Sequence, residues 1–378
     1  MSVRGWCMAA LLLLSLFSPQ LHSLESEPPE DTEIWLVSYG PGELYWQRFG
    51  HNAIWVRDGR LGLDHTFNFG FFDFAQEDFF LRFLMGRMLY FSAAQKAGDE
   101  FAQYVAENRD IRAQRLDMGP EQKAELVRYL LHEVRPENRD YLYDYYRNNC
   151  STRVRDALDQ ALGGAISRES KIVTAAQNWR DHTRRLTETD FWVYLGLETA
   201  LGPYVDRPIS HWDEMFIPGV LAESLAREGS LVLEDRLIFE STLEGPPERP
   251  GRVWPFYLLV SLFALLLAWL LSRWLPATLL ARTWFTVAGL SGMVMLFLWF
   301  GTDHLVAALN MNLLLFNPLW LVFAVWKKAA RFALQTVAVF GVLALTVALS
   351  PGQYTADVLA AFLPLNLFAA YVLNRSTA

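Results

Sequence analysis

Hydrophobic and polar residues follow two regimes along this chain. From residue 25 to 252 they alternate over short distances. After that they run in long apolar blocks. In the first regime Ile34–Tyr39 reads as a short strand stopped by Gly40-Pro41-Gly42, and His51–Arg57 and Leu61–Gly70 read as two strands around Asp58-Gly59, a hairpin signal. Phe71 to Phe91 is densely aromatic and ends in a helix over Phe79–Leu89; Asp99–Glu107 and Pro120–Val134 have helical spacing, the latter through Leu126, Leu130 and Val134. A further helix opens at Asn149, a good N-cap, and ends at Gly163-Gly164. Cys150, Val154, Ala157, Leu158 and Ala161 share its inward face.

The second regime holds five apolar stretches: Trp254–Ser272, Thr283–Phe300, Met311–Trp326, Phe332–Leu349 and Ala356–Leu373. Each approaches the roughly 17–25 residues that cross a bilayer, the third being short. Arg273 and Arg282, then Lys327, Lys328 and Arg331, then Arg375 occupy alternate connections; Gly301–Asn310 and Ser350–Thr355 carry no Lys or Arg. The positive-inside tendency therefore puts the C-terminus in the cytoplasm and the polar domain outside the cytoplasmic membrane. At the start, Arg4 precedes the apolar run Met8–Phe17, a signal sequence over residues 1–23 that is either cleaved or kept as an anchor. The expected organisation is this segment, an exported domain over 24–243, a Pro/Gly-rich linker over 244–252 and a membrane domain over 253–378.

Charge narrows the partners. Residues 25–252 hold 39 of the 41 acids and 26 of the 33 Lys and Arg, a net of −13. Nucleic-acid binding rests on cationic contacts to phosphates, so a nucleic-acid partner is not expected. No His, Cys and carboxylate cluster has metal-ligand spacing, and no cofactor is expected.

Cysteine usage points to chemistry. Only Cys7 and Cys150 are present, and Cys7 lies in the signal segment. An exported chain usually pairs its cysteines, so a lone thiol calls for a reason. At a helix N-terminus, unpaired N–H groups and the helix dipole favour the thiolate, and the same donors could hold an acyl oxyanion. Asn149 and Ser151 flank that position. A buried cysteine without chemistry is the competing reading. A nucleophilic thiol needs a base. His51 opens a strand directly after Gly50, while His132, His182 and His211 lie in polar surroundings without a clear partner. With a two-residue turn at Asp58-Gly59, His51 pairs with Thr66. Ile54, Val56, Leu61, Leu63, Phe67 and Phe69 then share one face, and His51, Asp64, Thr66 and Asn68 the other. Asp64 is the expected orienter of His51, and a one-residue slip would substitute His65. In the apolar half, the loop holding Asp303, His304 and Asn310 falls on the side of the exported domain and could meet lipid headgroups.

Several segments carry a family resemblance. They are Tyr45-Trp46-Gln47-Arg48-Phe49-Gly50-His51-Asn52-Ala53, Asp64 with Phe67-Asn68-Phe69-Gly70-Phe71-Phe72-Asp73-Phe74, Gly86-Arg87-Met88-Leu89-Tyr90, the run from Tyr143 to Asp156 around Cys150, Asp206-Arg207-Pro208, Met215-Phe216-Ile217-Pro218 and the run from Asn310 to Leu319. The order His–acid–Cys resembles circularly permuted papain-like enzymes of the lecithin:retinol acyltransferase type. The match is closer to the Lnb family, the lipoprotein N-acyltransferases and their N-terminal periplasmic domain relatives. The resemblance implies an α+β, papain-like cysteine domain, a small antiparallel sheet bearing His51 packed on the Cys150 helix, followed by an all-α domain of five transmembrane helices. It also implies attack of the thiolate on an acyl ester, a thioester on Cys150, and transfer to a lipoprotein N-terminus or another envelope acceptor. Tyr45 and Asn68 join Asn149 and Ser151 as substrate or oxyanion candidates. Bilayer lipid or lipoprotein would be acyl donor and acceptor. The alternatives are a cysteine peptidase or amidase of cell-envelope material, or hydrolysis in place of transfer, or an envelope protein without catalysis.

Overall fold

A computed structural model describes residues 31–59, 62–227 and 231–377. The expected signal segment, with Cys7 and His22, lies outside the described residues. The chain divides into two compact units. The first takes residues up to Ala176 and Pro208–Pro246; the second takes Gln177–Arg207 and Pro247–Ala378.

The first unit is built on a seven-stranded antiparallel sheet, larger than the small sheet expected. Its strands are β1 (Glu33–Tyr39), β2 (His51–Asp58), β3 (Leu63–Phe71), β4 (Leu89–Lys96), β5 (Ile111–Leu116), β6 (Asp140–Leu142) and β7 (Val232–Phe239), in the order β6-β4-β3-β2-β1-β5-β7. Both faces are covered. Helices α1 (Phe79–Met85), α2 (Ala97–Ala106), α3 (Pro120–Glu133) and α4 (Cys150–Ala161) interleave with the strands, and α5 (Ala165–Ser170) follows. One face buries Ile34, Leu36, Ile54, Val56, Leu63, Phe67 and Phe69 against Leu126 and Leu130 of α3 and Val154 and Leu158 of α4. The other buries Trp35, Val37, Tyr39, Ala53 and Trp55 with Phe101 and Tyr104 of α2 packed against them. The sheet ends on a three-residue strand and on a strand carrying Glu234, Asp235 and Arg236, both poor templates for further pairing.

The hairpin keeps the expected faces but not the expected register. Arg57 pairs with Asp64 and Ala53 with Asn68, so residues 59–62 connect the strands in place of a two-residue turn. The slip is four residues. An even slip conserves which side each residue faces but changes who its neighbours are. Helix α1 stops at Met85 because Gly86 takes a left-handed φ of 74° there, and the chain re-enters the sheet at Leu89.

The second unit is helical: α6 (Trp179–Thr187) and α7 (Phe191–Ala200) come first. The short α8 (His211–Glu214) and α9 (Pro218–Arg227) return to the first unit. Then follow α10 (Trp254–Leu271), α11 (Ala277–Gly301), α12 (Leu319–Val325), α13 (Lys327–Ala330), α14 (Ala333–Ala348) and α15 (Ala356–Arg375). Three of these, α10, α11 and α15, are apolar and of membrane length; Met311–Val325 and α14 are shorter. The third apolar stretch is not one continuous helix. A 3-10 turn covers Met311–Leu314 and α12 starts after Pro318. The Leu315 carbonyl at the break accepts from the Trp320 indole (2.7 Å) and the Asn366 amide (2.9 Å), which supply the hydrogen bonds that regular helix would have given. A Cβ on Gly292 would stand 1.7 Å from the Phe316 carbonyl oxygen, so only glycine lets the broken stretch approach α11.

Contacts sort the connections into two ends. Arg282 donates to the Ala324 carbonyl (3.0 Å) and Asn374 to that of Arg331 (2.6 Å), which groups the cationic connections. At the other end Gln353 bonds the Met311 N–H (2.8 Å) and the Asn310 side chain (2.9 Å). Segment 177–207 packs there through buried charge. Arg180 pairs with Glu198 (3.3 Å) and Asp206 (2.8 Å), Arg184 lies 3.5 Å from Asp357, and the Tyr194 hydroxyl donates to Asp357 (2.5 Å).

Candidate active site

Cys150 is the only cysteine among the described residues and is a free thiol. It begins α4, whose N-cap is closed by a reciprocal pair: the Thr152 N–H donates to Asn149 Oδ1 (2.9 Å) and the Asn149 N–H to Thr152 Oγ1 (2.8 Å). Val154, Ala157, Leu158 and Ala161 are buried on the sheet, as their spacing predicts. This fixes the helix start over the end of β3. Gly70, at φ 96°, would bring a Cβ to 3.4 Å from Cys150 Cβ, so the strand yields room for the thiol there.

His51 opens β2 at the same end of the sheet. Its neighbour Asn52 offers its N–H to the Cys150 sulfur, alongside the N–H groups of Ser151 and Cys150 itself. The imidazole stacks on Tyr39 (5.9 Å between centroids), and Tyr39 stacks on Tyr104 (3.6 Å). His51 Nε2 lies 2.8 Å from Asn68 Oδ1. Asn68 Nδ2 in turn donates to Glu100 Oε2 (2.7 Å), and Glu100 also accepts from the hydroxyls of Tyr39 (2.5 Å) and Thr66.

This network assigns the imidazole tautomer. Glu100, buried to 3% exposure, is pushed up by desolvation but receives three donors that favour its carboxylate. An acceptor behind Asn68 turns the amide so that Oδ1 faces His51. Nε2 must then carry the proton, and Nδ1 keeps the lone pair.

Electrostatics leaves the pair neutral at rest. Burial holds His51 down to about 4, against a smaller upward pull from Asn68, with Arg109 adding to the depression. Burial pushes the Cys150 thiol up despite the N–H groups and Arg109. The helix N-terminus was expected to favour thiolate, but desolvation outweighs it. Arg109 is the cation common to both. It donates to the Gly40 carbonyl (2.9 Å), stacks over Tyr104 (4.6 Å), and its Nη2 is buried without a hydrogen-bond partner among the described residues.

Asp64 does not orient His51. It pairs with Arg57, six positions along β2 or about 20 Å away, and accepts from the Trp55 indole (2.5 Å). His65 stands between Val56 and Lys96 on the opposite face, equally remote. Asn68, a substrate candidate by sequence, takes the orienting position. The Asn149 side chain is spent on the cap and on the carbonyls of Tyr145 and Phe216 (both 3.0 Å). Ser151 is fully buried, donating to the Met215 carbonyl (2.6 Å) and accepting from Asn52 (3.1 Å). Only backbone N–H groups of this turn are left to face an oxyanion. Tyr45 is exposed on a 3-10 turn, near enough to Tyr90 to help burial push that phenol up to about 12.

In the second unit Asn310 is buried, donating to the carbonyls of Thr199 (2.8 Å) and Ala200 (2.9 Å), so it ties the loop down and does not meet headgroups. Asp303 is exposed and His304 half-buried on the same loop. His211, which seemed to lack a partner by sequence, lies between Glu214 (2.9 Å) and Ser224 (2.7 Å); the Ser224 hydroxyl is buried and donates to the Val220 carbonyl, a structural tie. Glu100 and Arg109 were missed by sequence reasoning. One of two adjacent acids in the first turn of an amphipathic helix and an Arg after a turn carry no local signal of a site.

Two family models match the chain. Residues 21–187 match the Lnb N-terminal periplasmic domain, and residues 249–377 match the Lnb transmembrane domain. No curated protein and no solved structure matches it.

Proposed function

Given that the chain belongs to the Lnb family, with a periplasmic N-terminal domain and a transmembrane domain, we propose that it is a membrane-bound cysteine acyltransferase. It works at the outer face of the cytoplasmic membrane, in a papain-like manner, with five apolar segments in the bilayer and the cationic connections inside. The observation that carries this reading is the free thiol at the start of α4, set against Gly70 and reached by the N–H of Asn52, whose neighbour His51 keeps the Nδ1 lone pair through Asn68 and Glu100. In the first step Cys150 Sγ attacks an acyl ester carbonyl while His51 Nδ1 takes the thiol proton. In this reading the backbone N–H groups that reach the sulfur receive the oxyanion as the sulfur bonds to the carbonyl carbon. Collapse breaks the ester C–O bond, His51 returns the proton to the departing alkoxide, and Cys150 holds the acyl group as a thioester. In the second step an amine, such as a lipoprotein N-terminus, attacks the thioester. An amide forms and the thiol is restored with its proton. Membrane-length helices in the same chain support a lipid-borne acyl donor over a soluble one.

The test is mass spectrometry of lipoprotein N-terminal peptides from cells with the native chain, with Cys150→Ala, and without the gene. N-acylation that depends on Cys150 is the expected result. Identical acylation in all three strains would refute the lipoprotein acceptor, and altered peptide cross-links of the envelope would favour the amidase alternative.

A further inference from the structure

The densest aromatic run of the first unit is not used by the chemistry above. Most of it forms a continuous row of rings that starts at the thiol. The Tyr143 ring stands 3.9 Å from the position a Cβ would take on Gly70, the residue that also touches Cys150. Tyr143 stacks on Tyr90 at 4.2 Å, and Tyr90 meets Phe72 at 5.1 Å. Phe72 meets Phe74 at 5.0 Å, and Phe74 meets Phe79 at 5.0 Å. Phe79 meets Phe80 at 5.3 Å, and there the row surfaces, because Phe80 is 75% exposed.

Helix α1 at that end is inverted for a water-facing element. Of its seven residues, Phe-Phe-Leu-Arg-Phe-Leu-Met, only Phe79 is buried. Phe80, Leu81 and Leu84, spaced one and three apart, point outward together, 45–75% exposed, and Phe74 joins them at 50%. Exposed apolar groups in such a contiguous cluster mark a contact surface. From Phe74 to Tyr90 the charged residues are Glu77, Asp78, Arg82 and Arg87, and both arginines lie on or after the helix, so this stretch is neutral although the domain as a whole is strongly acidic. Apolar tips backed by arginine suit the headgroup boundary of a bilayer. The bilayer is also within reach: the chain passes from this unit into membrane-length helices through residues 240–253, at most about 50 Å of extended chain.

We propose that α1 dips into the leaflet facing the domain, and that the row Phe80–Phe79–Phe74–Phe72–Tyr90–Tyr143 carries a hydrocarbon chain from that leaflet to Cys150. The insertion stands on the exposed helix alone. The acyl path rests on the acyltransferase reading above. Aromatic rings present an apolar face with little conformational freedom to lose, which suits a slot for a flexible alkyl chain.

Two arms of one experiment on the full chain test it. In a Cys7→Ala, Cys150→Ala background, Phe80→Cys is labelled with an environment-sensitive fluorophore and the protein is reconstituted in phosphatidylglycerol–phosphatidylethanolamine nanodiscs. Emission should shift to the blue and be quenched severalfold by lipids spin-labelled on their acyl chains. The same label at Arg128→Cys on α3 should stay water-like. Equal, water-like emission at both positions overturns the insertion. In the second arm Leu81→Asp with Leu84→Asp is made on the native thiol, and Cys150 acylation from a bilayer-embedded phospholipid is followed by intact mass. Acylation should fall at least tenfold, while alkylation of Cys150 by a small water-soluble reagent stays within about twofold, reporting an intact site. Unchanged acylation overturns the path. If even the native chain forms no acyl-enzyme from any ester, the acyltransferase reading fails, and the fluorescence arm still decides the insertion.

Discussion

The resting charge of the Cys150–His51 pair can be measured directly. His51 is held at about 4 in place of 6.5. That displacement corresponds to about 3.4 kcal/mol in favour of neutral imidazole, at about 1.36 kcal/mol per tenfold change in the protonation equilibrium. At pH 7 about one molecule in a thousand would carry imidazolium. With Cys150 also pushed up by burial, the pair rests as thiol and imidazole, not as an ion pair. The assay is the rate of Cys150 alkylation by iodoacetamide in Cys7→Ala protein between pH 5 and 9. A neutral pair gives a rate that climbs about tenfold per unit through neutrality. An ion pair gives a plateau across pH 5–8 that His51→Ala abolishes, and that plateau would refute the reasoning. The same shift has a stability consequence. A depressed folded value means the unfolded chain binds more protons between about 4 and 6.5. The His51 contribution is therefore complete above 6.5 and is lost as pH falls through about 4. It amounts to at most about 3.4 kcal/mol, and less in practice because the ring keeps some contact with solvent. His51→Ala should flatten thermal stability across that window.

Two further outcomes separate site residues from bystanders. Asn68→Ala should lower acyl-enzyme formation by about 10²- to 10⁴-fold through loss of the tautomer, whereas Asp64→Ala should stay within about twofold in the same intact-mass assay; equal losses would restore Asp64 as orienter. In the second unit Glu198 is fully buried and raised to about 7 by desolvation, with Arg180 and Arg184 pulling it down and Asp357 and Asp206 pushing it up. Its stabilising effect is complete below about 4.5 and is lost as pH rises through about 7, at most about 3.4 kcal/mol. Glu198→Gln leaves Arg180 with Asp206 and Arg184 with Asp357, so the unfolding midpoint should stop falling between pH 5 and 8; a uniform drop at both ends would count against an excess buried acid.

Much of this was legible from residue pattern because it depends on parity and spacing. The faces of the hairpin, the inward side of the Cys150 helix and its Asn149 cap all follow from period 2 or 3.6, which one sequence displays. The orienting residue did not, because register depends on loop length, and Asp58-Gly59 signalled a two-residue turn where residues 59–62 connect the strands. Four residues of slip left every face intact and replaced Asp64 by Asn68. Strands β4 to β7 escaped notice for other reasons: Leu89–Lys96 sits at the end of the aromatic run that reads as helix, and β7 sets three consecutive charges, Glu234-Asp235-Arg236, in the middle of an edge strand, which breaks period 2. The break at Pro318 was masked by continuous apolarity, which reports environment and not backbone continuity.

The exchange of carboxylate for carboxamide at the orienting position follows from what lies behind it. Asn68 is held by Glu100, itself buried and fed by the hydroxyls of Tyr39 and Thr66. An aspartate at 68 would set a second carboxylate against Glu100 at hydrogen-bond distance, and two such groups share a proton before both ionise. The side chain at 68 would then present an acid O–H or a half-charge to His51, and the tautomer would no longer be fixed. An amide avoids this by having two ends: its N–H₂ satisfies Glu100 and its oxygen accepts from Nε2. The cost is a weaker pull on the imidazole proton than a carboxylate gives, which matches a histidine left near 4 by burial. A base of that kind is poorly suited to ionising the thiol in an empty site. It can accept the thiol proton as the sulfur bonds to a carbonyl, when charge moves onto an oxygen that the N–H groups of Asn52 and Ser151 can meet. The amide orienter thus follows from one buried acid, Glu100, and the neutral pair from a burial that the amide does not offset.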